Sequence, residues 1–455
     1  MNSDPHFAST LRAELSDRAL WQTRVVVLAF GALSGLSVVL FTWLSERALE
    51  LFQLAWNRSA WLPLFWTPVC TGLIVWATRR WAPGAAGSGI PQVMAALHPD
   101  VPGESRGLFI SMRLALAKMG LTAFGLLAGL SQGREGPSVQ IAAGVMHSAR
   151  RWLPAGSAVS HHGLLIAGGS AGIAAAFNTP LGGIMFAIEE LSRRPEQRSN
   201  GLIMAAIVLA GLMGISAYGN STYFGVIRVQ PVTWSLLLPG LLVVVCCGLL
   251  GGLFARLLAA SLSGRSNDRF TRWRTHYPVR FAASCGLAVA VIGLASQGST
   301  FGSGYAHTKS LLDGQSSPSQ LYVLLKFLAT WITTWSGAPG GIFAPSLAIG
   351  GALGGDVAQL TGHLDTPTLI ALGMAGFLAA VTQAPMTAFI IVMEMVDGHN
   401  LVLVLMTCSM LSSGISRLIS RPLYASLAEV QLQRIPSFLV PIQQKKSLPA
   451  SDRKA

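Results

Sequence analysis

Four stretches of this chain, Val25–Leu44, Leu202–Ala217, Trp234–Phe254 and Phe281–Leu294, are long or nearly long enough to cross a bilayer. Other apolar stretches are shorter and punctuated by Gly or Pro, the pattern of broken or re-entrant helices packed against protein rather than lipid. With 51% hydrophobic and 11% charged residues, the chain carries about half the charge of a soluble domain. The expected fold is an all-α polytopic membrane protein, and soluble globular folds are excluded.

The net charge of +13 invites a nucleic-acid reading, but the cations gather at segment ends. Arg193, Arg194 and Arg198 form one group; Arg265, Arg269, Arg272, Arg274 and Arg280 form another. The polar stretches Tyr218–Thr233 and Ser296–Ser319 hold only Arg228 and Lys309. This asymmetry predicts that both basic loops and both termini are cytoplasmic. No basic surface is interleaved with stacking aromatics, so nucleic acid is not an expected partner. Met1–Thr23 is polar and mildly amphipathic, without the apolar core and cleavage site of a signal peptide; a short surface helix is expected there. Cys70, Cys246, Cys247, Cys285 and Cys408 lie within apolar segments without metal-ligand spacing, which predicts buried free thiols and no metal or cofactor.

One motif stands out against this background. Between Met119 and Ala149 the only Lys, Arg, Asp or Glu residues are Arg134 and Glu135, within Gly133-Arg134-Glu135-Gly136-Pro137. An ionisable pair at bilayer depth is costly and usually lines a functional path. The flanking Gly and Pro suggest a helix start, where backbone N–H groups can face an anion.

The chain also repeats itself. Lys118 stands 17 residues before Glu135, and Lys326 stands 17 before Phe343. In the same register Gly133 aligns with Gly341, Pro137 with Pro345 and Ser138 with Ser346. Leu164–Pro180 then matches Leu369–Pro385 without a gap, and Pro180 and Pro385 are each followed nine residues later by Glu189 and Glu394. Paired, Gly/Pro-interrupted apolar segments point to a repeat-built transporter whose site lies where broken helices meet. Repeat one is expected over about 24–217 and repeat two over about 234–425. A 1–23 segment precedes them and a 426–455 tail follows. Lys118/Lys326 and Glu189/Glu394 occur in both halves, which predicts shared structural roles. Glu135 faces Phe343 and Glu190 faces Met395, so these two acids break the symmetry and are the better functional candidates.

With Gly87-Ser88-Gly89-Ile90-Pro91, Gly133-Arg134-Glu135-Gly136-Pro137, Gly341-Ile342-Phe343-Ala344-Pro345 and the tyrosine of Arg421-Pro422-Leu423-Tyr424 in this order, the chain resembles the CLC chloride channel and transporter family from roughly Arg24 to Ala425. The resemblance implies an inverted-repeat bundle that binds chloride through Ser88, Gly89, Gly136, Ile342, Phe343 and Tyr424. Taken alone, Ser88 reads more readily as part of an ordinary glycine-rich turn, and Tyr424 as an interfacial anchor. Ile342 and Phe343 have apolar side chains, so any polar contribution there comes from N–H groups and the helix-terminal partial charge. Neutral dipoles suit transport, because a full positive charge would hold chloride too tightly to release it.

The family likeness further implies that Glu135 is the gating carboxylate and external proton-transfer group, and Glu190 the internal one. An ionised Glu135 can occupy an anion site among the same N–H groups, whereas a protonated one can swing away. Pairing with Arg193 and Arg194 is the structural alternative for Glu190. Arg134 is expected to attract anions at the mouth; a bridge to Glu135 is disfavoured because adjacent helical side chains do not face each other. Lys118 is expected to be structural or electrostatic. Relatives often carry an acid where this chain has Gln92, which leaves the electrostatics around Lys118 open.

The implied function is chloride/proton antiport by a homodimer in a bacterial plasma membrane, with a passive voltage- or pH-gated chloride channel as the alternative. A fluoride-exporting branch typically departs from the serine, tyrosine and Gly-Arg-Glu-Gly-Pro patterns kept here. With about thirty residues past Tyr424, the nucleotide-sensing regulatory domains of many relatives are not expected. A distant alternative, an intramembrane serine hydrolase, rests on Gly168-Gly169-Ser170-Ala171-Gly172 with His161 and His162 nearby. That motif needs a strand–turn–helix elbow, and its repeat partner Gly373–Phe377 has no serine. Close helix packing explains the small residues better, so no catalytic residue is assigned.

Overall fold

The computed structural model describes residues 16–433 except 104, 158, 193–200, 220–221, 226–233, 265–267, 316–319 and 363–364. Arg193, Arg194, Arg198, Arg228 and Arg265, most of the N-terminal segment and the tail beyond Gln433 therefore lie outside the described residues.

The first half supplies α1 (Arg18–Arg58), α2 (Pro63–Trp81), α3 (Ile90–Leu97), α4 (Met112–Leu127), α5 (Glu135–Ser148), α6 (His161–Phe177), α7 (Pro180–Phe186, continuing as a π turn over Ala187–Ser192) and α8 (Gly201–Tyr218). The second half supplies α9 (Leu237–Ser263), α10 (Arg269–His276), α11 (Pro278–Ala295), α12 (Tyr305–Leu312), α13 (Gln320–Ser336), α14 (Phe343–Thr361), α15 (Thr366–Thr382), α16 (Pro385–Met395), α17 (Val402–Arg417) and α18 (Leu423–Leu432).

Six helical stretches among the described residues are long and apolar enough to cross a membrane, and the four apolar stretches of the sequence fall on α1, α8, α9 with the short turn Trp234–Leu236 that leads into it, and α11. Side chains such as Phe65, Trp234 and Leu403 remain exposed, as lipid contact requires. The eight residues of α3 rise only about 12 Å and cannot cross a core about 30 Å thick. Such broken helices are buried in protein: every residue of α6 from Gly163 to Phe177 is covered, as is every residue of α15 from Thr368 to Thr382.

Local chemistry sets the breaks in matching places. Prolines occupy the first turn of α2, α7, α11 and α16, where a missing N–H costs no helical hydrogen bond. Asn178 and Gln383 end α6 and α15 in the left-handed region, both at φ 59°. In each half two broken helices pack closely, α5 on α6 and α14 on α15. A Cβ on Gly172 would lie 2.6 Å from the carbonyl oxygen of Ser138, and one on Gly350 would lie 2.2 Å from that of Gly373. Only glycine permits either approach.

The duplicated charges are used identically. Glu189 accepts from the N–H groups of Met386 and Thr387 at 3.1 and 2.7 Å, covering the start of α16. Glu394 accepts from Leu181 and Gly182 at 3.2 and 2.7 Å, covering the start of α7. Each half thus caps the other, carboxylate against helix dipole. Lys118 donates to the carbonyls of Ala85 and Gly87, and Lys326 donates to those of Thr300 and Gly302 at 2.9 and 2.8 Å.

Candidate anion pathway

The starts of α5 and α14 meet head to head. Gly133 N–H donates to Gly341 O at 2.7 Å and Gly341 N–H returns a bond to Gly133 O at 2.8 Å, a two-residue antiparallel bridge between the repeats. It directs the first-turn N–H groups of both helices, which have no intrahelical acceptors, toward common ground. Beside it, Gly87-Ser88-Gly89 leads into α3 with Gly87 and Gly89 at φ 73° and 110°. Gln92 holds this turn: its Oε1 accepts from Gly89 N–H at 3.0 Å, and its amide donates to Ala86 O. The departure at Gln92 therefore keeps a capping role, while buried Lys118 is satisfied by carbonyls and forms no salt bridge among the described residues.

Into this junction the structure brings Ser88, Gly136, Glu135, Phe343 and Tyr424. A Cβ on Gly136 would lie 2.3 Å from Ser88 Oγ, so the serine hydroxyl sits directly over the first turn of α5. The Phe343 ring stacks on Tyr424 with centroids 5.9 Å apart and planes 17° from parallel; Phe177 and Phe186 pack against its other sides. Ile342 is buried as the N-cap of α14. The hydroxyls of Ser88 and Tyr424 adjoin one another, yet neither has a hydrogen-bond partner of good geometry among the described residues. Leaving a buried hydroxyl unpaired costs about 1–3 kcal/mol. Two such hydroxyls in one place, beside two helix starts, suit a ligand that accepts hydrogen bonds.

Glu135 is fully buried. Its Oε2 accepts from Ala344 N–H at 3.4 Å and would lie 2.3 Å from a Cβ on Gly133. The carboxylate of repeat one thus rests against the helix start of repeat two. Helix-terminal charge contributes about 0.3–1 kcal/mol, up to about 2 when partly buried, against several kcal/mol for desolvating a carboxylate.

Two cavities flank the junction. One of about 510 Å³ is lined by Glu190, Arg106, His162 and Glu429, and reaches Ala425 beside Tyr424. The other, about 170 Å³, is lined by Arg134, Glu46, Thr42 and three tyrosines. Tyr424 lies within electrostatic reach of both Glu190 and Glu135. Arg134 does not bridge to Glu135; its Nη1 donates to Glu46 Oε1 at 2.8 Å. Glu46, on the long apolar α1, carried no motif that could reveal it.

The second feature missed in the sequence is Gly302-Ser303-Gly304, which repeats Gly87-Ser88-Gly89 215 positions later, with Gly302 and Gly304 at φ 67° and 89° and Lys326 beneath it as Lys118 lies beneath the first. The identical triplets were the available signal. Ser170 lies inside α6, not on an elbow, and the hydrolase alternative has no structural basis.

Fold and site together define a polytopic helical membrane protein built from two interlocked repeats around a junction of broken helices. The sequence pattern described as "Voltage gated chloride channel" matches residues 70–417, and the chain belongs to that family, the CLC family. A protein of Klebsiella pneumoniae named "H(+)/Cl(-) exchange transporter ClcA" is 33% identical over 381 residues, 78% of this chain and 76% of its own. One of the same name from Cronobacter sakazakii is 31% identical over 428 residues, 87% of each chain. The solved structure of a slow cyanobacterial Cl-/H+ antiporter superimposes with a TM-score of 0.76 at 25% identity, covering 92% of this chain and 99% of the other. A CLC-type fluoride/proton antiporter shares the fold, with a TM-score of 0.72 at 23% identity, covering 91% and 99%. Members of the CLC family move ions and are not enzymes, and this chain is no exception.

Proposed function

We propose that this chain is a secondary active chloride/proton antiporter, with Glu135 as gate and external proton-transfer group and Glu190 as the internal one. The observation that carries the reading is the position of Glu135: a carboxylate seated at the start of the opposite repeat's helix, where an anion would otherwise bind. Chloride and the carboxylate compete for the same N–H groups, and a proton on Glu135 removes one competitor. Ser88 and Tyr424 supply side-chain hydroxyls to the anion; Gly89, Gly136, Ile342 and Phe343 supply backbone. The presence of Glu190 in a buried wall of the 510 Å³ cavity supports its role as the inner proton acceptor. Relatives named as H+/Cl- exchangers support the same direction.

The working unit is proposed to be a homodimer in a bacterial inner membrane with both termini cytoplasmic. Exposed apolar side chains on α7, α8 and α17, among them Leu181, Leu212 and Leu411, suit either a partner subunit or lipid. Chloride flux from liposomes with simultaneous pH recording tests the function. A chloride gradient should drive uphill proton movement. If chloride moves and protons do not, the chain is a passive channel, the reading that its family description also favours.

A further inference from the structure

We infer that Glu46 is an affinity-setting residue at the Arg134 mouth, a built-in counter-anion that an incoming chloride must displace from the guanidinium. The inference rests on the antiport reading above and adds a residue that no sequence motif marks.

Among the described residues, Glu46 and Arg134 are the only charged ones lining the 170 Å³ cavity, and they neutralise each other at 2.8 Å. Their burial is unequal: the Arg134 side chain is 13% exposed and that of Glu46 45%. The carboxylate can therefore turn outward into water while the guanidinium stays fixed, since Nη1 also reaches Thr42 O at 3.5 Å. Further polar residues border that space. Arg134 Nε is buried with no hydrogen-bond partner among the described residues, as is Thr222 Oγ1 in the same wall. Thr42 is 4% exposed, and its hydroxyl adjoins that of Tyr218. If Glu46 turned away, an anion entering this cavity would meet the Arg134 guanidinium with Thr42 and Thr222 in the same wall. Glu46 holds its cation in reserve.

A half-exposed ion pair is worth about 0.2–1 kcal/mol, so its removal should change affinity by a few-fold. The test is chloride-dependent current across planar bilayers, with chloride varied on each side separately. Glu46→Gln keeps a hydrogen-bond acceptor for Arg134 but removes the charge. It should lower half-saturating chloride on the Arg134 side by roughly two- to fivefold and leave the other side unchanged. The gain should shrink as inert salt is raised from about 0.01 to 1 M, where the screening length falls from about 30 to 3 Å. On an Arg134→Gln background the same substitution should do nothing. Should Glu46→Gln fail to fold, Glu46→Asp, which shortens the reach by one methylene, should shift the same side in the same direction by a smaller factor. A wild type that carries no chloride sinks both this inference and the antiport reading. A working wild type whose mouth-side chloride dependence is unmoved by Glu46→Gln, or moved equally on both sides, sinks this inference alone.

Discussion

Glu189 and Glu394 occupy matching positions and perform the same task, each capping the first turn of the other repeat's short helix. Glu135 and Phe343 also occupy matching positions and do opposite things. One is a carboxylate reaching across to Ala344 N–H; the other is an apolar ring stacked on Tyr424. Gly136 and Ala344 form a third pair. Repeat one has glycine where Ser88 Oγ presses in, and repeat two tolerates a methyl group. The scaffold is duplicated because both halves must solve the same problem of capping broken helices away from water. The ion path is not duplicated, because two carboxylates at one junction would repel each other and leave no room for the transported anion.

Breaking the pair at its centre should have the largest effect. Glu135→Ala should reduce proton movement by roughly a hundredfold or more, the scale of a deleted proton-transfer group, while chloride flux continues; retained coupling in the liposome pH assay would remove Glu135 from its assigned role. Glu190→Gln tests the other symmetry-breaking acid. Proton flux should fall by a similar order, roughly a hundredfold, with chloride flux preserved. Unchanged proton flux would return Glu190 to a structural role.

Gly136→Ala adds to repeat one the methyl group that repeat two already has. With 2.3 Å between the new Cβ and Ser88 Oγ, the hydroxyl must move, and chloride flux should drop about tenfold, equivalent to about 1.4 kcal/mol. Flux within twofold of wild type would show that Ser88 is not positioned by this contact. The smallest effects are expected from the shared residues. Glu189→Gln and Glu394→Gln should each cost about 1–2 kcal/mol in unfolding free energy, by nearly equal amounts, with the proton-to-chloride ratio unchanged. Unequal losses, or an altered ratio for only one variant, would mean that the caps are not equivalent.

Much of this was legible in the sequence because it depends on local chemistry. The apolar stretches predicted α1, α8, α9 and α11, and the 208- and 205-residue offsets paired α5 with α14 and α6 with α15. The Gly-x-x-x-Pro motifs marked helix starts, since glycine and proline constrain the backbone wherever they occur. The Gly302-Ser303-Gly304 turn was visible in principle, but its 215-residue offset broke the register of the rest.

What the sequence determined by itself, then, was a duplicated helical membrane protein and the two acids that break its symmetry. Only the tertiary structure decided where those charges go. It joined Gly133 to Gly341, crossed Glu189 and Glu394 between the halves, set Ser88 beside Tyr424, and gave Arg134 to Glu46 rather than to its neighbour in the chain. Each of these contacts joins residues more than 80 positions apart. Their partners are chosen by how broken helices satisfy one another's exposed ends in a medium without water, a condition that no single segment can express.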